Sequence, residues 1–85
     1  MTADHFRAAL AREFQKATHA GQASVRVATG DLHRVVGGYP GSDHRIPVCC
    51  QVMTSTMAPG DTIVEVPPSG MGASLTIEYR LPRPK

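Results

Sequence analysis

Eighty-five residues, 41% hydrophobic and 19% charged, describe one small folded domain over 1–85; they exclude a disordered chain and leave no room for a second core. The formal charge of +2 and pI of 8.8 are mildly basic, well short of the field carried by proteins that coat DNA without regard to sequence. No apolar run approaches the length of a membrane span, and charges throughout residues 1–20 argue against a signal peptide, so no membrane partner is expected.

The segment "ADHFRAALAREFQKATHA", residues 3–20, reads as a helix. Phe6, Leu10, Phe14 and Ala17 recur at helical spacing to make one apolar stripe, and Arg12, Glu13, Lys16 and His19 lie off it. Thr2 suits the cap, Asp4 the first turn and Gly21 the end. Residues 22–29, "QASVRVAT", alternate Val25 and Val27 against Ser24 and Arg26, the pattern of a short strand.

Thr29 then offers an N-cap for a short helix to about Val36, with Leu32, Val35 and Val36 on its buried side and Gly37-Gly38 ending it. "YPGSD" is turn chemistry: Pro40 sets φ and Gly41 permits a positive one. Pro47 fits the first position of a third helix, which runs to Met57 or Ala58 and stops at Pro59-Gly60. Its inner face is expected to hold Cys49, Val52, Met53, Thr56 and Met57. Its outer face would hold Cys50, Gln51, Thr54 and Ser55.

Residues 61–68 and 73–82 are strands joined by "SGMG", hence an antiparallel hairpin. Ile63 should share a face with Glu65, and Val64 with Val66. Leu75, Ile77, Tyr79 and Leu81 share the apolar face of the second strand.

Helix, strand, helix, helix, strand, strand is the element order of a winged helix-turn-helix, an α+β fold in which the first strand joins the hairpin in a small antiparallel sheet. In such domains the third helix enters the major groove and the hairpin loop, the wing, meets the backbone or minor groove. Two features depart from a typical DNA reader. The break over residues 37–46 is longer than a three- or four-residue turn, and neither the third helix nor the wing tip carries Lys or Arg.

"DLHRVVGGYPGSDHRIPVCCQVM" followed by "PPSGMGASLTIEYRLPR" resembles a family of short, uncharacterised bacterial proteins. Their shared pattern is Leu-His-Arg, Gly-Gly-Tyr-Pro-Gly, His-Arg-x-Pro-x-Cys-Cys, then Leu-Thr-Ile-x-Tyr-Arg-Leu-Pro. The resemblance covers about residues 31–83. It implies a bacterial protein and assigns no activity.

Four chemistries compete for these residues. For duplex DNA, Arg45 and His44 precede the third helix, Gln51, Thr54 and Ser55 can hydrogen-bond to bases, and Arg34, Arg80 and Arg83 can hold phosphates. The backbone N–H groups of Gly70 and Gly72 can meet a phosphate as well. Against this stands a bracing role, in which Arg34 and Arg45 tie down the glycine break through carbonyls or through Asp31 and Asp43. Metal binding by His33, His44, Cys49 and Cys50 is disfavoured, because neighbouring residues on a helix point about 100° apart and no pair has zinc-site spacing; no cofactor is expected.

For nucleophilic catalysis, Cys49 near a helix start could have a lowered pKa with His44 or His33 as base, but no orienting group or oxyanion hole is evident, so the expectation is a non-enzyme. Fourth, a sheet edge can pair with a partner, which makes a protein-interaction module the main alternative. A thin core without Trp adds the expectation of a homodimer. Adjacent Cys49 and Cys50 cannot staple a useful loop, and reduced thiols point to the cytoplasm.

Overall fold

A computed structural model describes residues 3–37 and 45–83. Its elements are α1 (Ala3–His19), β1 (Ser24–Ala28), α2 (Thr29–Val36), α3 (Ile46–Ser55), β2 (Thr62–Glu65) and β3 (Thr76–Arg80). The fold is α+β: three helices pack against each other and a three-stranded antiparallel sheet is ordered β1-β3-β2. This is the winged-helix-like arrangement expected from the element order.

α1 buries the predicted stripe. Phe6, Leu10 and Ala17 are buried, Phe14 is half-buried, and Ala9 joins them on the same side. Each large side chain fully withdrawn from water contributes about 1.5–3 kcal/mol. Gly21, at φ +78°, turns the chain out of the helix, and the Gln22 N–H closes back on the Ala17 carbonyl at 3.0 Å.

α2 starts differently from the expectation. The N-cap position is Ala28, with no side-chain cap. Thr29 is instead the first helical residue and fully buried. The N–H groups of Thr29 and Gly30 donate to the carbonyls of Leu75 (2.8 Å) and Ala73 (2.9 Å), so the chain entering β3 caps this helix in place of a side chain. The Thr29 hydroxyl lies 3.1 Å from the Leu75 carbonyl oxygen and 3.2 Å from Met53 Sδ.

α3 begins one residue before Pro47 and ends at Ser55, short of Met57. It is buried over more of its circumference than predicted. Cys49, Val52 and Met53 join the main core with Phe6, Leu10, Leu32, Ile77 and Tyr79. Cys50, expected on the outer face, is buried too, in a second cluster with Ile46 and Leu75. The reason is tertiary: the segment leading into β3 lies over that flank, and the Cys50 thiol reaches the Gly72 carbonyl at 3.5 Å and Thr29 Oγ1 at 3.6 Å. The remaining exposed stripe is Pro47, Gln51, Thr54 and Ser55.

In the sheet, β3 is central. Arg26 faces Glu78 across β1–β3, and their side chains pair at 3.0 Å on the outer surface. β2 is shorter than predicted and carries a bulge: Ile63 opposes Ile77, but Glu65 opposes Thr76. Since neighbours on β3 face opposite ways, Ile63 and Glu65 do not share a face as the alternation suggested; Ile63 sits with buried Ile77, and Glu65 turns outward. All four residues of β2 are exposed.

Candidate nucleic-acid interface

The start of α3 is held by a histidine. His33 of α2 is buried, with Phe6 edge-on at a ring separation of 4.9 Å, and its Nε2 accepts the Arg45 backbone N–H at 2.8 Å. The bracing contact at this junction thus comes from the His33 imidazole to the Arg45 main chain, and the Arg45 residue itself stays exposed. Nε2 must be unprotonated to accept, which places this face of the ring in a fixed role. Arg34, one residue on, is exposed and pairs with Asp31 at 3.2 Å on the same helix. His44 and Asp43 lie outside the described residues, as do Gly38–Ser42, including Tyr39.

The predicted reading residues divide into two groups. Gln51, Thr54 and Ser55 lie on the exposed stripe of α3, Arg45 is exposed at the cap just ahead of it, and Ile46 and Cys50 pack against the wing base at Leu75 and Ala73. The start of α3 and the wing are therefore neighbours. The hydroxyls of Thr54 and Ser55 donate to carbonyls of their own helix, Cys50 at 3.0 Å and Val52 at 3.1 Å. Their oxygens remain acceptors, while the donors offered are the Gln51 amide on the stripe and the Arg45 guanidinium at the cap. On the wing, the Gly70 N–H is already used, donating to the Pro67 carbonyl at 2.8 Å, so it is not available to a phosphate as the sequence suggested. Gly72 packs closely: a Cβ there would stand 3.2 Å from Pro67 Cβ. The wing carries no charge at its tip, and two of its exposed side chains, Val66 and Met71, are large and apolar.

Arg80 and Arg83 lie elsewhere. β3 begins beside the wing and ends at Arg80, so both belong to the opposite end of the hairpin. Arg83 is committed inside the fold. Its guanidinium binds both oxygens of Asp61 at 2.7 Å, donates to the Thr56 carbonyl at 2.9 Å, and lies 5.1 Å and 5.3 Å from the ring centroids of Phe14 and Tyr79. Asp61, whose side chain is fully buried, also accepts the N–H groups of Ala58 and Arg80, each at 2.8 Å. Burial alone would raise the Asp61 pKa. The Arg80 N–H, Arg83 and the Ala58 N–H outweigh it, and the net shift is downward. Sequence reading missed this clamp; its only linear trace is an Asp directly after Pro59-Gly60. A groove of about 650 Å³ runs beside it, lined by Ala11, Phe14, Thr18, Thr56, Pro82 and Arg83 among others.

The cysteines do not have the character of activated nucleophiles. Burial, with Cys50 alongside, pushes the Cys49 thiol up to about 12, and burial also raises Cys50. A lowered pKa at the helix start fails because both thiols face the core rather than solvent. Among the described residues no three His, Cys, Asp or Glu side chains come together as a metal site, and no helix is long and apolar enough to cross a membrane.

No protein-family model, curated protein or solved structure matches this chain.

Proposed function

We propose that the domain is a non-catalytic binder of double-stranded DNA. In this reading the exposed stripe of α3 faces the major groove, and the wing at Met71 lies along the backbone or in the minor groove. The observation that supports it is the placement of exposed Arg45 at the start of α3, whose first turn packs on the base of the wing, with exposed Gln51, Thr54 and Ser55 following along the helix. Arg45 supplies the phosphate or guanine contact and Gln51 suits an adenine edge. Arg34 adds a phosphate contact by exchanging its surface pairing with Asp31, a bond worth little in water. Arg80 and Arg83 are left out of the interface. The two free, buried thiols suit a reducing compartment, and the setting proposed is the bacterial cytoplasm.

The test is fluorescence anisotropy of a labelled random-sequence duplex, titrated with the protein at low and at physiological salt. Binding is expected at low salt and should weaken as salt rises, because the cations displace counterions. Arg45→Ala should weaken binding several-fold and leave the thermal midpoint unchanged. No binding at low salt with tens of micromolar protein overturns the proposal.

A second reading, a protein-interaction module, is favoured by one observation. Ile63, Val64, Val66 and Met71 are all exposed on the hairpin, by 40–61%.

A further inference from the structure

The outer edge of β2 is open. β2 borders β3 on one side only, has no substantial contact with a helix, and is exposed at every residue. An edge strand presents a row of backbone donors and acceptors, and proteins that keep such an edge unpaired usually place Lys on it. This edge reads Thr62-Ile63-Val64-Glu65-Val66 instead. Its exposed apolar side chains, with Met71, amount to roughly 300–400 Å² per copy, the size at which a surface patch on a monomer is often functional.

Its charges are also complementary to themselves. Glu65 is exposed at the wing end of β2, faces outward and takes part in no ion pair among the described residues. At the other end, Arg80 faces outward from β3 and its side chain runs over Gly60. Arg80 Cδ lies 2.7 Å from where a Cβ on Gly60 would stand, so the side chain crosses close over this glycine, whose φ of +99° disfavours other residues. That guanidinium likewise has no ion-pair partner among the described residues. When two antiparallel copies of β2 lie side by side, the Glu65 end of each meets the Gly60–Thr62 end of the other.

We propose that β2 is a homodimer interface, in which two copies pair antiparallel about a two-fold axis near Ile63-Val64, and Glu65 of each copy meets Arg80 of the other. The two sheets then form one six-stranded sheet, with Ile63 and Val64 of both copies at the centre of the seam and Val66 of each beside the start of β2 in the other. Pro67, which has no N–H, ends the paired stretch. Ile63, Val64 and Val66 of the two copies bring at most roughly 500 Å² of exposed apolar surface to the seam, short of the ~1,200 Å² of a standard stable interface, so the dimer is weak and its population depends on concentration. Because the strands are antiparallel, the two wing tips lie at opposite ends of the joined sheet, and a dimer that binds DNA holds two duplexes apart rather than spanning one. The proposal goes beyond the DNA-binding reading and does not depend on it.

Sedimentation velocity of the whole chain without DNA, from about ten to several hundred micromolar, is the test. The sedimenting mass should rise from 9.1 kDa toward twice that value, and less readily in high salt. Val64→Lys should abolish the dimer while leaving the circular dichroism spectrum and thermal midpoint unchanged. Glu65→Arg and Arg80→Glu should each weaken it about tenfold, and the double charge swap should restore it to within about threefold. Where Arg80→Glu fails to fold, Glu65→Arg alone must still weaken the dimer. A monomer at every concentration, a dimer indifferent to Val64→Lys, or folded single variants with unchanged association each overturns the proposal. Failure of the DNA titration leaves this result untouched, since no DNA is present.

Discussion

The two ends of the β2–β3 hairpin solve opposite problems. At its base, a fully buried carboxylate, Asp61, collects two backbone N–H groups and a two-pronged contact from Arg83, which in turn rests against Phe14 and Tyr79. At its tip, Val66 and Met71 stand exposed, and the hydrogen bonds there run within the loop itself, from Gly70 to Pro67 and from the Ser69 hydroxyl to Met71. The comparison teaches where charge is used in this molecule. A cation held by a buried carboxylate and a backbone carbonyl is part of the scaffold, whereas a hairpin tip with apolar side chains in water has its contacts still to make.

Breaking the base should be costly. Asp61→Ala strands Arg83 with 15% of its side chain exposed and orphans the N–H groups of Ala58 and Arg80, for an expected loss of about 3–5 kcal/mol in urea denaturation. The pH dependence has a definite sign. A carboxylate whose folded pKa is lowered contributes stability that is complete above its ordinary value of 3.8 and is lost as pH falls through the lower folded value. Acid unfolding of the parent should therefore contain a component below 3.8 that is missing in an Asp61→Asn variant.

The next largest effect is expected at the junction of α2 and α3. His33→Leu removes the acceptor of the Arg45 N–H and should cost about 1–3 kcal/mol. It should also raise hydrogen exchange at Arg45 before the rest of α3. The smallest effect belongs to the tip, where Met71→Ser should change stability by less than about 0.5 kcal/mol by the same urea measurement. A tip that proved as sensitive as Asp61 would break the contrast between the two ends.

Much of the fold was legible in the linear pattern, and the exceptions have physical causes. The α1 stripe, the alternation of β1 and the hairpin follow from periodicities of 3.6 and 2, which local geometry enforces. The faces of β2 were misread because a bulge adds one residue to the count, and no side chain in Ile63-Val64-Glu65 announces it. Cys50 was misplaced because burial on α3 comes from two directions, main core and wing base, and a helical stripe describes only one. Of the candidate site, Gln51, Thr54 and Ser55 do share the exposed stripe of α3, with Arg45 exposed at its cap; Arg83 does not join them, since its partners Asp61 and Thr56 are 22 and 27 residues away in the chain.

By itself, then, the sequence determined which segments are helices and strands and their order, because those preferences arise within a few residues. Only the tertiary structure decided what each polar group does. His33 became a peg for the start of α3, Thr29 a buried hydroxyl capped by the chain entering β3, and Arg83 the partner of a carboxylate in the core. A hydrogen bond or ion pair depends on which distant groups share a small, dry space, and that is settled when the helices and the sheet close on one another.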